Sequence, residues 1–263
     1  MIIGSNNWNS VAYGNGIFVV GGDNGYVTTS TDEGATWLTP KQLVTIGSWS
    51  NVIYANGSFM MLNSHNGKLA TSTDGITWTI RDTYSLEYWR GLVYGNGIYV
   101  AVGPNYGTIM TSTDGKTWTK RTVGSVAWKD IAYGNGKFII IFEGGYFSTS
   151  TDGITWTNPK RISNAERGYD VITFGNGKFV VAEGYRGNTQ TTTDGETWTT
   201  PNTSAGSHGW QSIAASDGKF ILVGSSGYVT TSVDGITWET PYQLKDEKGS
   251  IVSIILYGVC ATQ

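Results

Sequence analysis

The chain has 263 residues, with 20 acidic and 17 basic side chains and a charged fraction of only 14%. A net charge of -3 offers no basic face for phosphate neutralisation and argues against nucleic-acid binding. One cysteine, Cys260, rules out an intrachain disulfide and leaves the redox compartment open, and no apolar run approaches the roughly 18 residues that cross a membrane.

The opening residues, Met1-Ile2-Ile3-Gly4-Ser5-Asn6-Asn7, have neither a basic nor an extended apolar segment, so no secretory signal is expected. The first structured unit starts at Trp8 and follows a clear order. Val11-Ala12-Tyr13 reads as strand A. Gly14-Asn15-Gly16 carries the Asn-Gly pair that favours a two-residue hairpin turn, because both positions tolerate positive φ. Phe18-Val19-Val20 reads as strand B, and Gly21-Gly22-Asp23-Asn24-Gly25 as a link. Tyr26 to Ser30 reads as strand C, followed by a turn at Thr31-Asp32 and strand D around Thr36-Trp37-Leu38.

The same unit returns from Trp49, Trp89, Trp128, Tyr169 and Trp210, and the second tryptophan recurs at 37, 78, 118, 156, 198 and 238, spaced 38 to 42 residues apart. A period near 40 with four short strands per unit and no helical periodicity predicts an all-β propeller of six four-stranded antiparallel blades. These two positions account for all eleven tryptophans.

Residues 1–263 are expected to form one propeller domain, with 250–263 and 1–4 closing the ring. Val252 to Gly258 aligns with strand A of the other units, Tyr257-Gly258 matching Tyr13-Gly14, but lacks the Asn-Gly turn. Six full blades joined at a seam, or a thin seventh blade built from both ends, are the alternatives.

The recurring Ser-Thr-Asp-Gly-x-Thr-Trp turn resembles the Asp box of the bacterial-neuraminidase-repeat propellers, sialidase-like in fold. The copy at Ser30 to Trp37 has the full spacing, and the other five are one residue shorter. The resemblance covers about residues 8 to 240 and implies that Asp32, Asp74, Asp114, Asp152, Asp194 and Asp234 are structural, accepting hydrogen bonds from the turn backbone. The wording of the repeats, Tyr-Gly-Asn-Gly-x-Phe-Val followed by Thr-Ser-Thr-Asp-Gly-x-Thr-Trp, is similar to that of phage and prophage surface proteins. The box occurs in enzymes and binding proteins alike, so it assigns no catalytic residue.

In a propeller the A–B and C–D turns share one face and the B–C and D–A links the other. The first face is nearly identical from blade to blade, so side chains that break the repeat on the second are the candidates for ligand binding. From the B–C links these are Asp23, His65, Tyr106, Glu143, Glu183, Tyr185 and Arg186; from the D–A links, Arg81, Tyr84 and Tyr88. Trp49, Trp89, Trp128 and Trp210 are added as an aromatic ring if their edges reach the surface, packing between blades being the plainer reading.

A glycosidase needs two carboxylates across one sugar bond, and Glu143 and Glu183 lie in successive links. A sialidase-like arginine cluster drawn from Arg90, Arg167 and Arg186, with Tyr185 beside it, has no spacing that favours it over Arg81, Arg121 or Arg161. His65 and His208, the two histidines, have no neighbours at metal-ligand spacing. No catalytic residue, cofactor or metal is assigned. The expectation is a binding module that recognises a glycan or cell-surface receptor, or another virion protein, through the variable face. A virion setting, outside the cell after lysis, fits the repeat style. A glycan hydrolase and an assembly scaffold are the alternatives.

Overall fold

The computed structural model describes residues 6–83, 88–103, 105, 107–142, 144–162, 168–246, 248–251 and 257–260. The chain forms a six-bladed all-β propeller, and among the described residues helix is limited to single 3-10 turns at Asp23–Gly25 and Ser225–Gly227. Strand A lines the axis in each blade: Trp8–Gly14, Trp49–Ala55, Gly91–Gly95, Trp128–Gly134, Val171–Gly175 and Trp210–Ser216. Each sheet runs outward in sequence order with antiparallel pairing, and five of the six have four strands. Blade 5 has three strands, and an isolated bridge between Thr189 and Asn202 stands in place of the fourth.

The A–B hairpins form as the Asn-Gly pairs require, with Asn15, Asn56, Asn96, Asn135 and Asn176 at φ 47° to 52° and Asp217 substituting in blade 6 at φ 47°. The repeated aspartates organise the C–D turns. Asp74 Oδ1 accepts the backbone N–H groups of Ile76 and Thr77 at 2.8 and 2.7 Å, and Asp114, Asp152, Asp194 and Asp234 repeat the pattern. In the longer first copy Asp32 instead takes the backbone N–H and the hydroxyl of Thr36. The Thr77 and Ile76 N–H groups hold the Asp74 carboxyl well below its usual range, and the same donors from the backbone do so at Asp114 and Asp194. Both kinds of turn lie on one face, where Asn96 Nδ2 donates to Thr151 O and Asn176 Nδ2 to Val233 O.

Strand D begins later than the sequence suggests. It covers Lys41–Gln42, Thr79–Asp82, Thr119–Thr122, Lys160–Arg161 and Tyr242–Gln243, beyond the motif tryptophan in every case. In blades 1, 2 and 4 the indole is the reason, because it folds back under its own turn: Trp37, Trp78 and Trp156 donate Nε1–H to the carbonyls of Gly34, Gly75 and Gly153, whereas Trp238 in blade 6 donates to Thr189 Oγ1 of blade 5. Regular pairing resumes only after the ring is accommodated.

Five buried apolar clusters fill the five junctions from blade 1–2 to blade 5–6. In blades 2, 4 and 5 the aromatic next to last in strand A lies over the glycine ending strand A of the blade before it, and in blade 6 Ala215 takes that place over Gly175. A Cβ built on Gly14 would lie 2.0 Å from the Tyr54 ring, and one on Gly134 would lie 2.0 Å from Phe174. Polar clips reinforce two of these junctions: Val52 N–H donates to Ser10 Oγ at 2.9 Å, and Ile172 N–H donates to Asp130 Oδ2 at 2.9 Å.

At the remaining junction, Gly258 lies against Ser10 and Val11 of blade 1, and Val259 N–H donates to Ser212 Oγ of blade 6 at 3.3 Å. Tyr257 and Gly258 therefore do not take the places of Tyr13 and Gly14; they sit four positions earlier, against the start of strand A. The expected strand at 252–256 and the expected contribution of residues 1–4 lie outside the described residues.

Two predictions follow from these junctions. Gly134→Ala leaves no room for Phe174 and should destabilise the fold by about 3 kcal/mol in urea unfolding. Burial pushes the Asp130 carboxyl up to about 7, despite the hydrogen bonds from the Ile172 and Ile131 N–H groups. The folded chain therefore holds a proton at Asp130 that the unfolded chain has lost, and stability drops as pH rises from about 4 to about 7. Native protein should lose about 2 kcal/mol relative to Asp130→Asn between pH 4 and pH 8 in paired melts, about half of what a shift of about 3 pH units implies for a carboxyl fully withdrawn from the channel water.

Candidate binding site at the channel mouth

The inner strands enclose an axial cavity of about 710 Å³. Each blade contributes the residue that follows its first aromatic: Asn9, Ser50, Arg90, Lys129, Asp170 and Gln211. Six equivalent positions thus carry six different polar side chains. Trp49, Trp89, Trp128 and Trp210, immediately before four of them, are at most 1% exposed. Alternation explains both facts. The aromatic turns into the blade junction, where Trp49 Nε1 donates to Gly25 O at 2.9 Å and Trp210 Nε1 to Gly206 O at 2.8 Å, and the next side chain turns to the axis. These four tryptophans thus pack between blades, the plainer of the two readings, and form no aromatic ring at the surface.

Electrostatically the ring is one-sided. Lys129 Nζ bonds Asp170 Oδ1 at 2.5 Å, and Asp170 Oδ2 also accepts the Gly184 N–H at 2.8 Å. Asp170 is thereby engaged on both oxygens. Arg90 is exposed, and its guanidinium has no partner among the described residues. A side pocket of about 400 Å³ continues from Arg90, Lys129 and Asp170 to Tyr185 and Gln211. Tyr185 is 76% exposed at its edge.

Across the mouth, His65 and Tyr88 come together edge to face at 5.2 Å, and Ser64 Oγ contacts His65 Nδ1 at 2.6 Å. Tyr88 and Ser64 also line the axial cavity, so this pair belongs to the rim.

The other described sequence candidates do not line the axial cavity. Asp23 is a local organiser: burial works against its charge, but donors from Asn9, Asn7 and Ser48 at 2.8 to 3.0 Å hold its carboxyl below the usual range. Glu183 is not a solvated loop acid. It is buried, and Asn188 Nδ2 donates to its Oε2 at 2.6 Å. Nearby, Tyr169 OH donates to Gln190 Oε1, giving blade 5 a polar interior beside its missing strand. Arg81 lies in the outermost strand of blade 2 and donates to Thr71 Oγ1 at 2.9 Å, away from the mouth. Arg186 is exposed in the link bearing Tyr185. Tyr84, Tyr106, Glu143 and Arg167 lie outside the described residues, so neither the Glu143–Glu183 pair nor the arginine trio is assembled by the described structure. Among the described residues, no cluster of three or more His, Cys, Asp or Glu is arranged to hold a metal ion.

Asn9, Ser50, Lys129, Asp170 and Gln211 were not singled out from sequence. Their signal was present: a position of fixed register whose chemistry changes in every repeat.

No family model matches this chain, and neither does any curated protein. Several solved structures share its fold. Streptogramin B lyase aligns with a TM-score of 0.79 at 12% identity, covering 97% of this chain and 87% of that one. Virginiamycin B lyase from Staphylococcus aureus aligns with a TM-score of 0.76 at 14% identity, covering 92% of this chain and 86% of that one. YCF48 bound to D1 peptide aligns with a TM-score of 0.70 at 19% identity, covering 89% of this chain and 80% of that one. At these identities the likeness is one of architecture: the chain shares a β-propeller fold with lyases and with a peptide-binding protein.

Proposed function

We propose that the protein is a non-enzymatic binding module of the Asp-box type that recognises a glycan on a cell surface through the mouth of its channel. The observation carrying this reading is the ring of Asn9, Ser50, Arg90, Lys129, Asp170 and Gln211. Amide, hydroxyl and guanidinium groups converging from different blades suit a ligand rich in hydroxyls. Tyr88 and Tyr185, both exposed on the rim, supply flat apolar faces against which a sugar ring packs. Rigid backbone holds each group, so little ordering cost attends binding. The style of the repeats supports a virion-associated setting.

A glycan array of bacterial and host-surface saccharides tests the reading. Native protein should bind a defined subset without releasing products, and Arg90→Ala should weaken that binding at least tenfold while Arg81→Ala leaves it unchanged. Release of shortened saccharides would transfer support to a hydrolase. Silence of the native protein across the array would overturn the glycan reading in favour of a protein ligand, the class named for YCF48 with its D1 peptide.

A further inference from the structure

The blade 6–blade 1 junction differs from the other five. None of the buried apolar clusters bridges it among the described residues. The box of blade 1 faces this junction and lacks the usual packing. A Cβ on Gly75, its counterpart in blade 2, would meet Val19 of the preceding blade at 3.0 Å, whereas one on Gly34 meets nothing nearer than its own Trp37 at 3.8 Å. Trp8 is only half-buried here, unlike its four indole counterparts. A largely apolar crevice of about 730 Å³ is lined by blade 1 on one side and the segment 257–260 on the other.

Three contacts define what that segment does. Val259 N–H reaches Ser212 Oγ as Val52 N–H reaches Ser10 Oγ and Ile172 N–H reaches Asp130 Oδ2. The donors Val52 and Ile172 share one position of strand A, and the acceptors Ser10, Asp130 and Ser212 share the position before it. Gly258, in turn, rests on Ser10 and Val11 of blade 1, as Gly91 of blade 3 rests on Asp130 and Ile131 of blade 4. Finally, Tyr257, Gly258 and Val259 line the axial cavity in the same order as Asn9, Ser10 and Val11.

We infer that residues 257–260 occupy a seventh inner position between blades 6 and 1, clasping the ring and adding Tyr257 to the recognition ring as its seventh side chain. The recognition role rests on the proposed function; the clasp does not. Tyr257 is 45% exposed at the position equivalent to Asn9 and Arg90. A phenol there gives the neutral arc of the ring an aromatic surface within the mouth, which the buried tryptophans cannot supply.

Hydrogen exchange followed by mass spectrometry tests the clasp on the full chain. Ser212→Ala should speed exchange about fivefold in the strand A segments of blades 1 and 6, as expected for loss of one hydrogen bond, and leave blades 3 and 4 unchanged. Ser212→Asp should restore protection, since Asp130 makes the same contact in blade 4. Gly258→Val, whose side chain would meet Ser10 Cα 3.1 Å from its Cβ, should loosen the same two segments. Uniform change around the ring, or none at the seam in either variant, would overturn the clasp.

Tyr257→Ala on the same array should reduce binding of the saccharides selected by native protein at least tenfold, with exchange at the seam unaltered. Native-level binding by Tyr257→Ala would overturn its recognition role. If native protein binds no saccharide, that role falls with the glycan reading, and the clasp is still decided by exchange.

Discussion

The fold depends on one constraint: a twisted sheet of three or four short strands cannot bury both its faces, so each blade is stable only beneath its neighbour. The aromatic-over-glycine contacts, Tyr54 on Gly14 and Phe174 on Gly134, express this most directly. In blades 1, 3 and 4 a glycine ends strand A because the next blade's ring occupies the volume a side chain would fill. At those junctions the spacing of blades near the axis is set by the thickness of an aromatic ring. The buried indoles apply the same rule one level outward, where Trp49 closes over Gly21 and bonds Gly25 O.

Architecture was legible in the sequence because its determinants are local. Asn-Gly fixes a hairpin through φ, and an aspartate followed by backbone donors fixes a turn; both work without knowledge of distant residues. Strand D was misplaced because the motif tryptophan looks like a strand residue until its ring is seen packing beneath its own turn. The alignment of Tyr257-Gly258 with Tyr13-Gly14 failed for a related reason. Side-chain similarity favoured one register, whereas backbone packing against Ser10 and the bond to Ser212 fixed another.

The site was less legible. Loop residues attracted notice through charge and aromaticity, but Arg81 belongs to an outer strand and Glu183 to the interior of blade 5. The ring residues sit inside strand A, one step after an aromatic, where a regular strand pattern masks them. Their convergence is a property of the closed ring and of no single repeat. Only Arg90 and the rim residues His65, Tyr88 and Tyr185 had been noted among those that now surround the mouth.

Because strand periodicity sends the indole inward and the next residue to the axis, folding and recognition are written in adjacent letters of the same strand. The two vocabularies overlap only in part: Lys129 pairs with Asp170 across blades 4 and 5, and Ser50 Oγ donates to Trp89 O of blade 3, whereas Arg90 can be exchanged for another polar side chain without breaking a side-chain bond between blades among the described residues. Such a scaffold can acquire new specificity by single substitutions distributed around the circle, each tried against an unchanged core.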